Sequence, residues 1–401
     1  MQDLHFASAL STLSDSGAAI DEVVAAIHAG LAGRTPDLLA VFVSHHHGPA
    51  IESLGPNLAR MTSARVVVGC TGEGVVGGGR EIERGAALSV FAAVLPDTQL
   101  TTFEVAAHVQ PDETMRFTTT PVIRDAKRAS LLLFADPYTF PMGDYLELLN
   151  REHPGVAAVG GMASGGEGPG QNLLVTNRGV TEGGALGLVV EGATEIASVV
   201  SQGCRPIGKP FVITACKEHF IQKLGGKPAA QALMEMMQEL ETNERARLQR
   251  GPFIGLAIDA RKSTFERHDF LARPLHGLDP KQGSLVVGDN SIRVGQTIQF
   301  LVRDRESAGE DLVHMLQAEN DSAVPDASAA MGALIFSCNG RGTQMFGKPD
   351  HDITCLQSAF ARELPAAGFL AMGEIGPVGG KNFLHGFTAS VALFRKRAGG
   401  A

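Results

Sequence analysis

The chain has 401 residues, 44% of them apolar and 19% charged, which describes a globular protein long enough for two domains, each with its own core. A formal net charge of -9, spread along the chain, argues against phosphate backbones as partners and so against nucleic acid. No apolar run reaches the roughly 20 residues of a membrane span and the N-terminus carries no basic leader, so no membrane partner and a cytoplasmic location are expected.

Five cysteines, at positions 70, 204, 216, 338 and 355, form no CxxC pair, and reduced thiols are expected. Glycine is the outlier, with 48 residues. Trp is absent, leaving little to stack on bases or sugars.

In chain order, Asp15 and Ser16 cap a helix with Val23, Val24, Ile27 and Leu31 on one face, closed by Gly30 or Gly33. This makes residues 1–35 an N-terminal helical segment. A strand follows from Leu38 to Ser44, then His45, His46 and His47, a helix around Ile51 to Met61, and the stretch VVVGCTGEGVVGGG from Val66 to Gly79. That stretch is a β-branched strand entering a turn almost without side chains, a place for a ligand or for close packing. The segments GAALSVFAAVLP and TQLTTFEVAA, joined at Pro96 and Asp97, read as an antiparallel hairpin.

The order then repeats. Ser130 to Pro137 is an apolar strand, GDYLELLNREHP a helix, and Val156 to Gly168 a strand ending in glycines. Val43 to Val68 and Phe134 to Val159 are both 25 positions apart. Strands QNLLVTN, ALGLVVEG and TEIASVVSQG complete this second copy. The charged stretch Gln231 to Arg250 suits a helix with one packed face and marks a boundary between domains 36–228 and 229–397.

Beyond FIGLAIDA, an irregular region, TIQFLVRD and the helix GEDLVHMLQAEN, the pattern returns a third time. MGALIFSCNGRG, a helix near Ile353 to Leu364 and GFLAMGEIGPVGG are followed by a closing strand, FLHGFTASVALF. Here Phe336 to Met372 spans 36 positions. The expected class is α/β (mixed α+β): two domains of mixed parallel and antiparallel sheets covered by helices, with repeated strand–helix–strand–glycine-turn units whose turns lie at carboxyl strand ends, where ligands bind.

Gly72 to Gly77 spells GxGxxG, but strand rather than helix follows, so a dinucleotide site is rejected; no phosphate loop of the GxxxxGK[ST] kind occurs, and no cofactor is expected. Of the three histidines at most two, His45 and His47, converge from an extended segment, and a metal there needs ligands from elsewhere; a solvated strand end is the plainer reading and no metal site is expected. Cys338 lies beside Arg341 in SCNGRG: either a nucleophile with lowered pKa and a distant base such as His385, an inert strand-end hydrophobe, or a pocket-lining residue with Asn339 and Gly342. Arg341 suits a carboxylate or phosphate, or a salt bridge such as one to Glu374. Glu73 and Glu374, each inside a glycine turn, can accept from a ligand amine, act as a base, or bond the turn's own N–H groups.

VFVSHHH with VVVGCTGEGVVGGGREIE, then VAAVGGMASGG, IFSCNGRG, GFLAMGEIGPVGG and HGFTASVALF together resemble the FIST family, the F-box and intracellular signal transduction domain, from about Asp37 to Phe394. The resemblance implies a sensory module for small ligands, with amino acids or their derivatives proposed. It places the family's motifs on Gly69 to Gly74, with Cys70, Thr71 and Glu73; on Gly160 to Gly166, with Gly161; on Cys338 to Gly342; and on Gly373 to Pro377, with Glu374. The roughly 35 residues before the first strand are too few for an F-box, and no kinase, methyl-acceptor or cyclase segment is recognised. The expectation is a standalone FIST protein with a small-molecule ligand and an unidentified signalling protein as partners. A thiol-dependent enzyme using Cys338 and a ligand-free interaction scaffold are the alternatives.

Overall fold

The computed structural model describes residues 3–110, 114–249, 251–262, 264–279, 281–288, 292–321, 329–360 and 362–398. Two units emerge: residues 1–201 with 312–401, and residues 202–311. Both contain mixed or antiparallel sheet, and the fold is of the mixed α/β class.

Three strand–helix–strand repeats form the larger unit. Leu38–Ser44, helix Ile51–Thr62 and Val66–Gly72 make the first; Ala129–Ala135, helix Met142–Glu152 and Ala157–Met162 the second; Gly332–Cys338, helix His351–Ser358 and Ala366–Ala371 the third. The entering strands, LLAVFVS, ASLLLFA and GALIFSC, are buried along their whole length, which is why they read as unbroken apolar runs rather than alternating ones. Each pairs in parallel with its returning strand, with Val41 opposite Gly69, Leu133 opposite Gly160 and Ile335 opposite Gly368. At these three glycines a Cβ would lie 1.8–1.9 Å from the carbonyl oxygen of the residue opposite. Only glycine fits there.

Because Phe42, Phe134 and Phe336 each follow those opposing residues, the repeats have equivalent aromatics. Their ring centroids lie 5.8, 5.9 and 6.1 Å apart, a nearly equilateral triangle, and Phe369 stacks on Phe42 at 5.2 Å. This register corrects two spacings. Phe42, not Val43, is the counterpart of Phe134, and Gly368, not a residue near Met372, closes the third repeat.

Each repeat hands its next hairpin to a neighbour. The strand Val75–Gly77 pairs with Ala366–Ala371 of the third repeat, Leu174–Thr176 with Val66–Gly72 of the first, and Glu374–Val378 with Ala157–Met162 of the second. An antiparallel strand flanks every entering strand: Leu88–Val94, Ala185–Gly192 and Thr388–Lys396. The outer strands are His5–Ser11, Thr98–Val105 and Thr194–Gln202. Three six-stranded sheets with the same strand order result.

This exchange overturns the expected hairpin. Leu88–Val94 pairs with His5–Ser11 and Leu38–Ser44, whereas Thr98–Val105 pairs with Ala185–Gly192, so the turn at Pro96 and Asp97 carries the chain from one sheet to another. The closing strand is likewise two, Lys381–His385 and Thr388–Lys396, separated at Phe387 with φ 59°. Near the N-terminus, the strand His5–Ser11 precedes helix Ser16–Gly30, whose start is capped by the Asp15 side chain accepting from the Ala18 N–H at 2.8 Å.

In the smaller unit, Cys204–Lys217, Thr297–Arg303, Phe253–Ala257, Phe270–Asp279, Ser284–Val287 and Phe220–Leu224 pair in that order, and the last returns to Cys204–Lys217, closing the sheet on itself. Two of these strands occupy the region that reads as irregular in the sequence. The charged stretch from Gln231 is two helices, Ala229–Glu239 and Thr242–Gln249, because Leu240 turns to an extended conformation. No described helix is long and apolar enough to cross a membrane.

Candidate functional site

The three glycine turns meet, because each sits where a returning strand gives way to an exchanged one. Equivalent backbone bonds stitch them together: Thr71 N–H donates to Leu173 O at 2.9 Å, Met162 N–H to Gly373 O at 2.8 Å, and Leu370 N–H to Gly74 O at 2.9 Å. Ser164 adds a cross-link, accepting from the Glu73 N–H at 2.9 Å and donating to Leu370 O, so one hydroxyl joins all three repeats. A Cβ on Gly161 would stand 3.0 Å from Ala371 and Phe369, and one on Gly74 would stand 2.7 Å from Ile82 O. Gly69, Cys70 and Thr71 are buried in the same way, and the Thr71 hydroxyl accepts from the Leu173 N–H at 3.0 Å. These glycines let backbones of different repeats touch.

At the rim, Asn339 Nδ2 donates to Glu73 Oε2 at 3.0 Å, bridging the third repeat and the first. Glu73 is exposed and does not reach Arg341. His45 Nε2 lies 3.0 Å from Ser164 O. His45 and His47 stand in a 3-10 turn, His45–Ala50, rather than an extended segment; His47 is buried, with Nδ1 2.9 Å from Ser16 Oγ and its pKa lowered by burial and by His46. Among the described residues no group of His, Cys, Asp and Glu is arranged to hold a metal ion.

Next to that rim lies a fully buried polar cluster. The Arg341 guanidinium donates from Nε and Nη2 to Asp352 at 2.6 and 2.7 Å, and lies 5.1 Å over the Phe346 ring. Burial opposes both charges, but the pair more than offsets it: Arg341 stays protonated and Asp352 is held well below the usual carboxylate range. Ser337 and His351 also bond Asp352. The ion pair anticipated with Glu374 is therefore made with Asp352, eleven residues along. Gly342, at φ 53°, opens the short helix Gly342–Phe346, whose first turn is held by Glu83 through Thr343 N–H at 2.7 Å.

Glu374 accepts on Oε2 from the Thr388 N–H at 3.0 Å and hydroxyl at 2.6 Å; burial pushes its pKa up to about 8, so near neutrality it carries a proton. Glu81 accepts from the Ile353 N–H at 2.8 Å and is pushed up to about 7 by burial and by the charge of Asp352. Among the described residues Arg341 Nη1 and Glu374 Oε1 have no hydrogen bond within ordinary limits, although the Cys338 thiol lies against the Glu374 carboxyl. Burial, then Glu374, push the Cys338 thiol far above its ordinary value, the reverse of what an activated nucleophile needs. His385 is buried too, its Nε2 2.9 Å from Gly376 O in its own hairpin.

Asp352, Ser164, Glu81 and Thr388 escape the sequence reading. Their importance lies in partners far away in the chain. The one local hint is the acid in DHDIT, set beside the apolar face that a helix there must bury.

Two family descriptions match consecutive stretches of the chain, the FIST N domain over residues 37–227 and the FIST C domain over residues 229–377. The uncharacterized protein Rv0628c of Mycobacterium tuberculosis (strain ATCC 25618 / H37Rv) is 38% identical over 96% of this chain and 98% of its own. The uncharacterized protein Mb0898c of Mycobacterium bovis (strain ATCC BAA-935 / AF2122/97) is also 38% identical, over 96% of this chain and 97% of its own. The chain belongs to the FIST family, whose domains are associated with signal transduction.

Proposed function

We propose that this protein is the sensory part of a signalling system, binding a small polar metabolite such as an amino acid or a derivative where the three glycine turns meet. A change in the bound state is then read by a signalling protein. The observation that carries this reading is the Asn339–Glu73 bond, a side-chain link between two repeats at the rim, beside two buried polar atoms with no hydrogen-bond partner among the described residues, Arg341 Nη1 and Glu374 Oε1. A ligand that replaces that link gains a carboxylate and an amide at the rim. Movement of the Cys338–Gly342 loop then adds a guanidinium N–H and a protonated carboxyl, a donor–acceptor set suited to a carboxylate or an amide.

Titration calorimetry against a panel of amino acids and their derivatives tests the proposal. A binder is expected whose affinity falls about tenfold or more in both Asn339→Ala and Glu73→Ala, each a loss of one or two hydrogen bonds to a charged or polar group. An empty panel, or an affinity that neither substitution changes, overturns this site.

A further inference from the structure

A cleft in the three-repeat unit lies at the opposite ends of the strands from the glycine turns. It has a volume of about 790 Å³ and is lined by the starts of strands and by the sheet-to-sheet crossing Val94–Gln99. Arg65 immediately precedes the returning strand of the first repeat; Arg124 and Arg128 precede the entering strand of the second. Four carboxylates also line it, but three are engaged by the protein itself. Asp37 accepts from the Leu95 N–H at 2.7 Å and faces Arg65 at 3.5 Å, Glu191 accepts from the Asp125 N–H at 2.6 Å, and Asp125 caps a turn by accepting from the Lys127 N–H at 3.0 Å.

The arginines are less committed. Arg65 uses only Nη2, on Asp37 and on Thr98 O at 3.4 Å; Arg124 donates to Gln99 from Nη1; and the Arg128 guanidinium has no hydrogen bond or ion pair among the described residues. The groups with unspent hydrogen-bonding capacity include three guanidinium forks and the exposed Asp97 carboxylate, while Asp37, Asp125 and Glu191 keep their charge although each accepts a backbone N–H. Guanidinium forks match phosphate and carboxylate oxygens two at a time, and the volume falls within the range of small-molecule sites.

We infer that this cleft is a second ligand site, for a small, multiply charged anion bound by Arg65, Arg124 and Arg128, with Asp97 accepting from a hydroxyl or amine at the ligand's other end. It does not depend on the glycine-turn site.

The test is titration calorimetry of the full chain at low ionic strength with inorganic pyrophosphate and, separately, citrate, which distinguishes a phosphate site from a carboxylate site. Binding of at least one is expected, weakened about tenfold or more in Arg128→Ala and in Arg65→Ala, and unchanged in Asn339→Ala. The arginines are exposed, so both variants are expected to keep the parent melting temperature within a few degrees. No binding of either anion, or binding that Arg128→Ala and Arg65→Ala leave unchanged, overturns the inference. Loss of binding in Asn339→Ala alone overturns it as well, since it assigns the anion to the glycine turns.

Discussion

Asp352 grips Arg341 through two parallel hydrogen bonds of 2.6 and 2.7 Å where neither side chain reaches solvent. The pair fixes the loop after Cys338 to the helix His351–Ser358, which leads back to the sheet.

Removing one partner strands the other as a buried charge. Arg341→Ala or Asp352→Ala is expected to cost about 3–5 kcal/mol, whereas Arg341→Met combined with Asp352→Leu recovers most of the loss. Urea unfolding of the three variants checks this; singles no worse than the double refute the ionic clasp.

Stability should fall with rising pH through the range set by Glu374 and Glu81. Unfolded, both lose their proton near the ordinary value of 4.5; folded, they hold it to about 8 and about 7. Between these limits the folded state binds more protons, so these groups favour folding most below pH ~4.5, and that contribution is gone above about pH 8. Urea midpoints measured from pH 5 to 9 are expected to decline less steeply in Glu374→Gln than in the parent. Parallel curves would remove Glu374 as a source.

Gly69→Ala, Gly160→Ala and Gly368→Ala each drive a methyl into a facing carbonyl 1.8–1.9 Å away. Each is expected to cost more than about 4 kcal/mol or to prevent folding. Gly33, with φ 75° and open space around it, is the comparison: Gly33→Ala meets only backbone strain, about 1 kcal/mol. Similar melting temperatures across the four would show that the close approach is not limiting.

Cys338 should resist alkylation. With its thiol raised by burial and by Glu374, iodoacetamide at pH 8 is expected to leave it unlabelled in the native protein and to label it fully in urea, read by peptide mass spectrometry. Labelling faster than that of the unfolded chain would restore the thiol-enzyme reading.

The three repeats are legible in the sequence because fully buried parallel strands leave continuous apolar runs and because close backbone contact demands glycine. Their exact alignment is not. Val43 and Phe42 are both apolar and both buried, and only the pairing of Val41 with Gly69 shows which one meets Phe134. Leu88–Val94 and Thr98–Val105 look like a hairpin because their turn permits one; the choice of other partners is made by sheets that the local sequence does not contain. The same holds for the site. Arg341 stands out by its loop, but Asp352 becomes its partner only through the fold.

The exchange of hairpins has a mechanical consequence. Each returning strand owes its outer neighbour to another repeat, so releasing one glycine turn strips a strand from a second sheet, and the ring of dependence passes through the third. The repeats are links of a closed chain, none of which opens alone. Amide exchange across the three turns should therefore report a single concerted opening, with Glu73 tied to Leu370 through the Ser164 hydroxyl.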